Sequence, residues 1–140
     1  LTHKRQEKIT KMKITIKQVS LADLDNLMEW RMEVLHSIFW ISQNENMQDL
    51  YLANREYYQK FIPNKEHIIV FAEIDQTIVC CGGFCQYNEM LSPDNPTGKC
   101  AYLMNIFYTR QSYRRQGVLR VVVECLIDYA KKTVYYKDIS

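Results

Sequence analysis

The sequence predicts an α+β fold, and three stretches carry that prediction. Two β-rich runs, His67 to Ile74 and Thr77 to Tyr87, meet at Asp75-Gln76 as an antiparallel hairpin. A third apolar run, Ala101 to Tyr108, leads through a polar turn into a helix, in which Val118, Val121, Val122, Cys125, Leu126 and Tyr129 recur at three- and four-residue steps. Before the hairpin lie two more segments with helical spacing. At 140 residues the chain suits one domain with a real core, and 47% hydrophobic against 24% charged residues is ordinary globular composition. A net charge of +2 is too mild to imply a nucleic-acid or membrane partner.

Taken in order, residues 1–11 are polar and basic and read as a leader or upstream remnant, with the domain expected over 12–140. No signal-peptide segment or membrane-length apolar run is visible, so the chain reads as cytoplasmic. Ile14, Ile16 and Val19 mark a first strand from Lys13 to Val19. Ser20, with Asp23 three residues on, resembles a helix cap. The first helix then carries Leu24, Leu27, Met28, Trp30, Val34, Leu35 and Ile38 on and around one face, with Asp25, Glu29, Arg31 and Glu33 as polar members. Met47 to Phe61 reads as a second helix, stopped by Pro63-Asn64, and its aromatic stripe reads as core.

Near-continuous hydrophobicity in Ile68 to Ala72 and Ile78 to Cys81 says that both faces of the sheet are covered. Gly82-Gly83 interrupts the second run and suggests a bulge or close helix packing. Asn88 to Lys99, with two prolines and Asp94-Asn95, is a long surface loop, placed either to flank an active-site opening or merely to connect. Cys80, Cys81, Cys85, Cys100 and Cys125 are odd in number and form no disulfide or metal framework, so they read as reduced thiols.

The turn before the last helix has the outline of an anion site. The first N–H groups of a helix lack intrahelical partners, and here they lie near Arg115 to Leu119. Gly117 has no Cβ to keep a ligand away, and two arginines reinforce the positive end of the helix dipole. On physics alone a solvated basic helix start remains the competing reading.

The residues here also carry a resemblance. Tyr102-Leu103-Met104-Asn105-Ile106 through Tyr108-Thr109-Arg110, then Tyr113-Arg114-Arg115-Gln116-Gly117, resembles the acetyl-CoA-binding segment of the GNAT acyltransferases. That family's Arg/Gln-x-x-Gly-x-Gly/Ala pattern is matched at Arg114 and Gly117, whereas its third position is Leu119. The stretch between Asn105 and Tyr113 is one residue longer than in common relatives, which implies a bulge or a shifted loop. Asn54-Arg55-Glu56-Tyr57-Tyr58, Cys81-Gly82-Gly83-Phe84-Cys85 and Ser92-Pro93-Asp94-Asn95-Pro96-Thr97-Gly98-Lys99 fall in the order expected of a bacterial-type member.

The resemblance implies a mixed, mainly antiparallel sheet flanked by helices, and transfer of an acetyl group from acetyl-CoA to a primary amine of a small-molecule or peptide acceptor. It places the pantetheine arm along the backbone of Ile106, Phe107 and Tyr108, and the pyrophosphate against Arg114, Arg115, Gln116, Gly117, Val118, Leu119 and Arg120. The first two helices would border the acceptor groove. Catalysis needs a base for the amine and an acid for the departing thiolate. No residue singles itself out for either task. Asn105 is a candidate to polarise the carbonyl or orient water, and Glu33 and Tyr108 are candidates for the proton transfers.

Thr133 to Ile139 has strand propensity and resembles the strand that splays from Ala101 to Tyr108 in this family. Relatives continue with another helix and two strands, so the domain is expected to be incomplete at its C-terminus and to pair as a homodimer, with exchanged C-terminal elements as one arrangement. Two other classes stay open. One is a non-catalytic CoA-binding or interaction subunit of the same fold; the other is a nucleic-acid module using Tyr113, Arg114, Arg115 and Arg120, which the weak net charge disfavours.

Overall fold

The computed structural model describes residues 13–103 and 107–133. Strand β1 (Ile14–Gln18) is followed by helices α1 (Leu24–Ile38) and α2 (Gln48–Phe61), and then by β2 (His67–Ile74) and β3 (Thr77–Asn88). Next come β4 (Lys99–Leu103), the two-residue β5 (Tyr108–Thr109) and helix α3 (Val118–Thr133). The sheet runs β1-β2-β3-β4, with β5 also pairing β3, and every pairing among the described residues is antiparallel. The strand expected over Thr133 to Ile139 lies almost wholly outside the described residues, as do Asn105 and Ile106.

The hairpin is closed by Asp75 and Gln76, whose φ values of 51° and 65° are both left-handed. A two-residue connection of this hand matches the twist of the strands it joins. At the chain's first turn, the Ser20 N–H donates to Asp23 Oδ2 at 3.0 Å and Lys17 Nζ donates to Oδ1 at 2.7 Å. Burial pushes the Asp23 carboxyl up, but Lys17 and Ser20 together outweigh it and hold it below the usual carboxylate value.

Strand alternation sorts the sheet residues between two cores. Ile69 and Phe71 pair with Gly83 and Cys81, and on that face Leu27, Met28, Trp30, Val34 and Tyr58 of α1 and α2 pack. Ile68, Val70, Ala72, Cys80 and Phe84 point the other way, toward Val118, Val122 and Leu126 of α3. Both faces are therefore covered, as the unbroken apolar runs predict. Gly82 is where α3 comes closest. A Cβ there would stand 2.5 Å from Phe107 Cε1 and 2.8 Å from Val122 Cγ1, so the glycine serves close helix packing.

The expected single strand Ala101 to Tyr108 is divided. Phe84 pairs with Leu103, but Cys81 pairs with Tyr108, so the positions sum to 187 in one segment and 189 in the other. A two-residue register shift thus separates β4 from β5, whereas the single extra residue expected between Asn105 and Tyr113 falls partly outside the described residues. The shift also moves β5 beside Val79, whose carbonyl accepts the Arg110 N–H at 2.9 Å. The Asn88 to Lys99 loop caps the opposite end of β3, roughly 23 Å from Cys81 by strand rise. There Asn95 binds it together through Glu89, Lys99 and Cys100.

Candidate functional site

The register shift delivers Tyr108 and Thr109 to the start of α3, and the chain between them makes a tight basic turn. Arg115 and Gly117 take φ values of +63° and +85°. Glycine adopts that region freely, while Arg115 is held there by its neighbours. The first bond of the helix ladder runs from the Val121 N–H to the Gly117 carbonyl at 3.2 Å. The N–H groups of Val118, Leu119 and Arg120 therefore precede the ladder and face outward at the positive end of the helix dipole. No acidic residue sits in that first turn, and Lys131 and Lys132 occupy the last.

In front of these groups lies a cleft of about 520 Å³, lined by Phe107, Tyr108, Arg115, Gly117 and Leu119 from the strand and turn. Ser37 and Ile38 close it from the last turn of α1. Thr109, Tyr113, Arg114 and Val118 complete the wall. Of the residues expected to contact a donor, Phe107, Tyr108, Arg114, Arg115, Gly117, Val118 and Leu119 thus share one cleft. The side chain of Gln116 instead donates to the Ser112 carbonyl at 3.0 Å, and Arg120 pairs with Glu124 at 3.9 Å. Asn105 and Ile106 lie outside the described residues.

Tyr108 is fixed on several sides. Its ring meets Trp30 edge-on at 5.6 Å, the Arg114 guanidinium covers it at 5.4 Å, and its hydroxyl lies 3.4 Å from Ser37 Oγ. Arg114 Nε donates to the Thr109 carbonyl at 2.7 Å, which ties the turn back onto β5. Thr109 is in turn 3.1 Å from the buried Cys80 thiol, which burial pushes up. Arg114 therefore braces the cleft wall as well as contributing charge to it.

Glu33 stands in a different setting from that of a free base. Arg110 donates to its two carboxylate oxygens, each at 3.3 Å, while Arg110 Nη1 holds the Ile78 carbonyl at 3.0 Å. The same guanidinium stacks 4.9 Å from the Trp30 ring centroid. This clamp fastens α1 to the strand that leads into the turn. Residues 33 and 110 are 77 positions apart, and nothing in either local pattern announces their pairing. Ser37 and Ile38 were likewise missed, because a last-turn helix residue carries no mark of the cleft it will face.

The clustered thiols are unremarkable chemically: Cys80 and Cys81 are buried, and desolvation raises both. Among the described residues, no helix is long and apolar enough to cross a membrane.

No curated protein matches the chain in sequence. Solved structures do match its fold. A predicted acetyltransferase with acetyl-CoA from Clostridium acetobutylicum superposes with a TM-score of 0.70 at 19% identity, covering 86% of this chain and 75% of that one. An aminoglycoside acetyltransferase from an uncultured soil metagenomic sample, in complex with sisomicin, gives 0.67 at 15% identity over 88% and 73%. A ribosomal-protein-alanine N-acetyltransferase from Brucella melitensis biovar Abortus gives 0.59 at 15% over 86% and 73%. With the acetyltransferase (GNAT) family model matching residues 24–138, well over half of the sequence, the chain belongs to the GNAT acetyltransferase family.

Proposed function

We propose that this protein transfers an acetyl group from acetyl-CoA to an amine. The observation that carries the reading is the start of α3, where outward N–H groups, Gly117 at positive φ and Arg115 meet at one cleft. That donor set fits a diphosphate: several N–H groups, a guanidinium and a backbone that no Cβ shields. Val118, Leu119 and Arg120 would hold the phosphates through their N–H groups, with Arg115 adding charge. Phe107 and Tyr108 would flank the pantetheine arm. When bound, acetyl-CoA supplies the thioester carbon that the amine attacks.

The chain's own part is then largely placement. Ser37, Tyr108 and the Arg110–Glu33 clamp fix the cleft wall against α1, and holding two reactants in line lowers the barrier without a dedicated acid or base. Because Glu33 already accepts from Arg110 twice, an ordered water is the simpler proton acceptor for the amine. The solved relatives act on an aminoglycoside in one case and a ribosomal protein in another, so both small-molecule and peptide amines are open as acceptors.

Calorimetry with acetyl-CoA tests the reading. Binding is expected for the unaltered chain, with a loss of at least about tenfold in Arg115→Ala and more in Gly117→Glu, where a carboxylate and a strained φ coincide. No binding at millimolar acetyl-CoA would overturn it. Leu119, 43% exposed at the cleft where the family pattern has Gly or Ala, favours a second reading as a non-catalytic CoA-binding subunit. Binding without release of free thiol across an amine panel would select that alternative. We also infer a homodimer, supported by β4, which pairs only with β3 among the described residues and where Tyr102, packed on Tyr87, and Leu103 are exposed. A stable monomer in light scattering would count against it.

A further inference from the structure

The face of the sheet covered by α1 and α2 contains a cation that has no counter-charge among the described residues. Arg31 Nε donates to Asn54 Oδ1 at 3.0 Å, but its Nη1 is buried and has no hydrogen-bond partner, and among the described residues no carboxylate pairs with this guanidinium. Beside it stands His67, only 2% exposed, with neither ring nitrogen bonded. Tyr57 and Tyr58 pack their rings on His67 at 5.5 and 5.9 Å, and the Tyr57 hydroxyl has a thiol, Cys85 Sγ at 3.6 Å, as its polar neighbour. Burial, and after it the Arg31 charge, hold His67 near pKa 4, so its imidazole is neutral.

Such a grouping is costly as it stands. A buried polar atom without a partner destabilises the fold by an amount that a suitable ligand would recover. The groups are also complementary to one kind of ligand. Arg31 has donors to spare, the neutral imidazole adds one N–H, and the Tyr57 hydroxyl adds an O–H. Together they match a planar carboxylate, which a guanidinium grips in bidentate fashion. Arg31, Asn54, Tyr57 and Cys85 are only half-buried, whereas Arg31 Nη1 and both His67 nitrogens are themselves buried, so a ligand reaches those atoms only as the half-buried side chains over them shift.

Its position ties it to the cleft. His67 pairs with Cys85 and Phe71 with Cys81, so these residues share a sheet face, and Cys81 is the register partner of Tyr108, which lines the cleft. The cluster therefore lies across the stretch of β3 where pairing passes from β5 to β4.

We propose that Arg31, Asn54, Tyr57 and His67 bind a carboxylate of the acceptor, so that the substrate class is a small amine that also carries a carboxylate, such as an amino acid. The inference rests on the acetyltransfer reading above. In it Arg31 is a specificity residue that anchors the acceptor while its amine reaches toward Tyr108.

The test uses amino acids paired with their own methyl esters, with free-thiol release from acetyl-CoA as the readout. The acids are expected to exceed the esters by about tenfold or more in kcat/KM, through KM for the acceptor. Arg31→Met should abolish that preference and leave KM for acetyl-CoA unchanged, and Arg31→Lys should restore part of it. A second arm needs no turnover: N-acetyl amino acids should raise the melting temperature of the unaltered chain and not of Arg31→Met. Equal rates for acids and esters, with acetyl-CoA still bound, would overturn the carboxylate site and leave acetyltransfer standing. Loss of acetyl-CoA binding would instead overturn the acetyltransfer reading, and the melting arm would then decide the carboxylate site alone. If N-acetyl amino acids shift neither protein, the open valences hold water and the proposal fails.

Discussion

The two faces of the sheet are built on opposite principles. Toward α3 the contact is apolar and close: Val118, Val122 and Leu126 are at most 1% exposed, and Gly82 lets Phe107 and the helix approach the strand. Toward α1 and α2 the core has Phe71, Leu27 and Met28 of comparable burial, yet it also encloses Trp30 Nε1, Arg31 Nη1 and both nitrogens of His67 without partners. The close-packed face positions the turn proposed to hold the donor. The polar face holds unmet valences on the side where an acceptor would enter.

The comparison can be broken most severely on the α3 side. Leu126→Ala, at a fully buried position, should cost about 3 kcal/mol in urea unfolding, since transfer and cavity terms add. A loss below about 1 kcal/mol would mean that the face is looser than its burial implies.

On the polar face the corresponding effect depends on pH. His67 takes up its proton at about pH 4 when folded, against 6.5 for an ordinary imidazole. Between those values the unfolded chain binds more protons, so stability is whole above about pH 6.5 and falls as pH drops toward 4. At pH 5 the loss from this group should be about 2 kcal/mol, and His67→Phe should flatten the profile. A melting temperature that is level between pH 7 and 5 would refute the assignment.

Gly82→Ala comes next, with an expected cost of about 1–2 kcal/mol as Phe107 and Val122 yield to the added methyl. Because the strain falls beside the cleft, acetyl-CoA affinity should fall with it, which calorimetry would register. Glu33→Gln should have the smallest consequence: less than about 1 kcal/mol in stability, because both members of its clamp are more than a third exposed. It should change kcat by less than about tenfold. A loss of several orders of magnitude would restore Glu33 as the base.

Much of this was legible in the sequence. The hairpin and its Asp75-Gln76 turn, the spacing of α3 and the turn from Arg114 to Gly117 that leads into it follow from local chemistry, because strand period, helix period and turn residues are written within a few positions of one another. Met47 instead of Gln48 as the start of α2 is the size of error that helix ends ordinarily show. The strand from Ala101 to Tyr108 was harder, since apolar content does not report register, and the shift between β4 and β5 appears only when β3 is present to pair with both.

What the chain determined by itself was therefore the identity of its elements and the place where a helix would offer its N–H groups. Tertiary structure alone decided that Ser37 and Ile38 would wall the cleft, that Glu33 would be held by Arg110, and that Arg31 would bury its Nη1 near His67 with no acid among the described residues to pair with it. The physical reason is range. Periodicity and turn chemistry act over one or two turns of chain, whereas a charge finds or lacks its partner through a register and a packing angle set by residues far along the sequence.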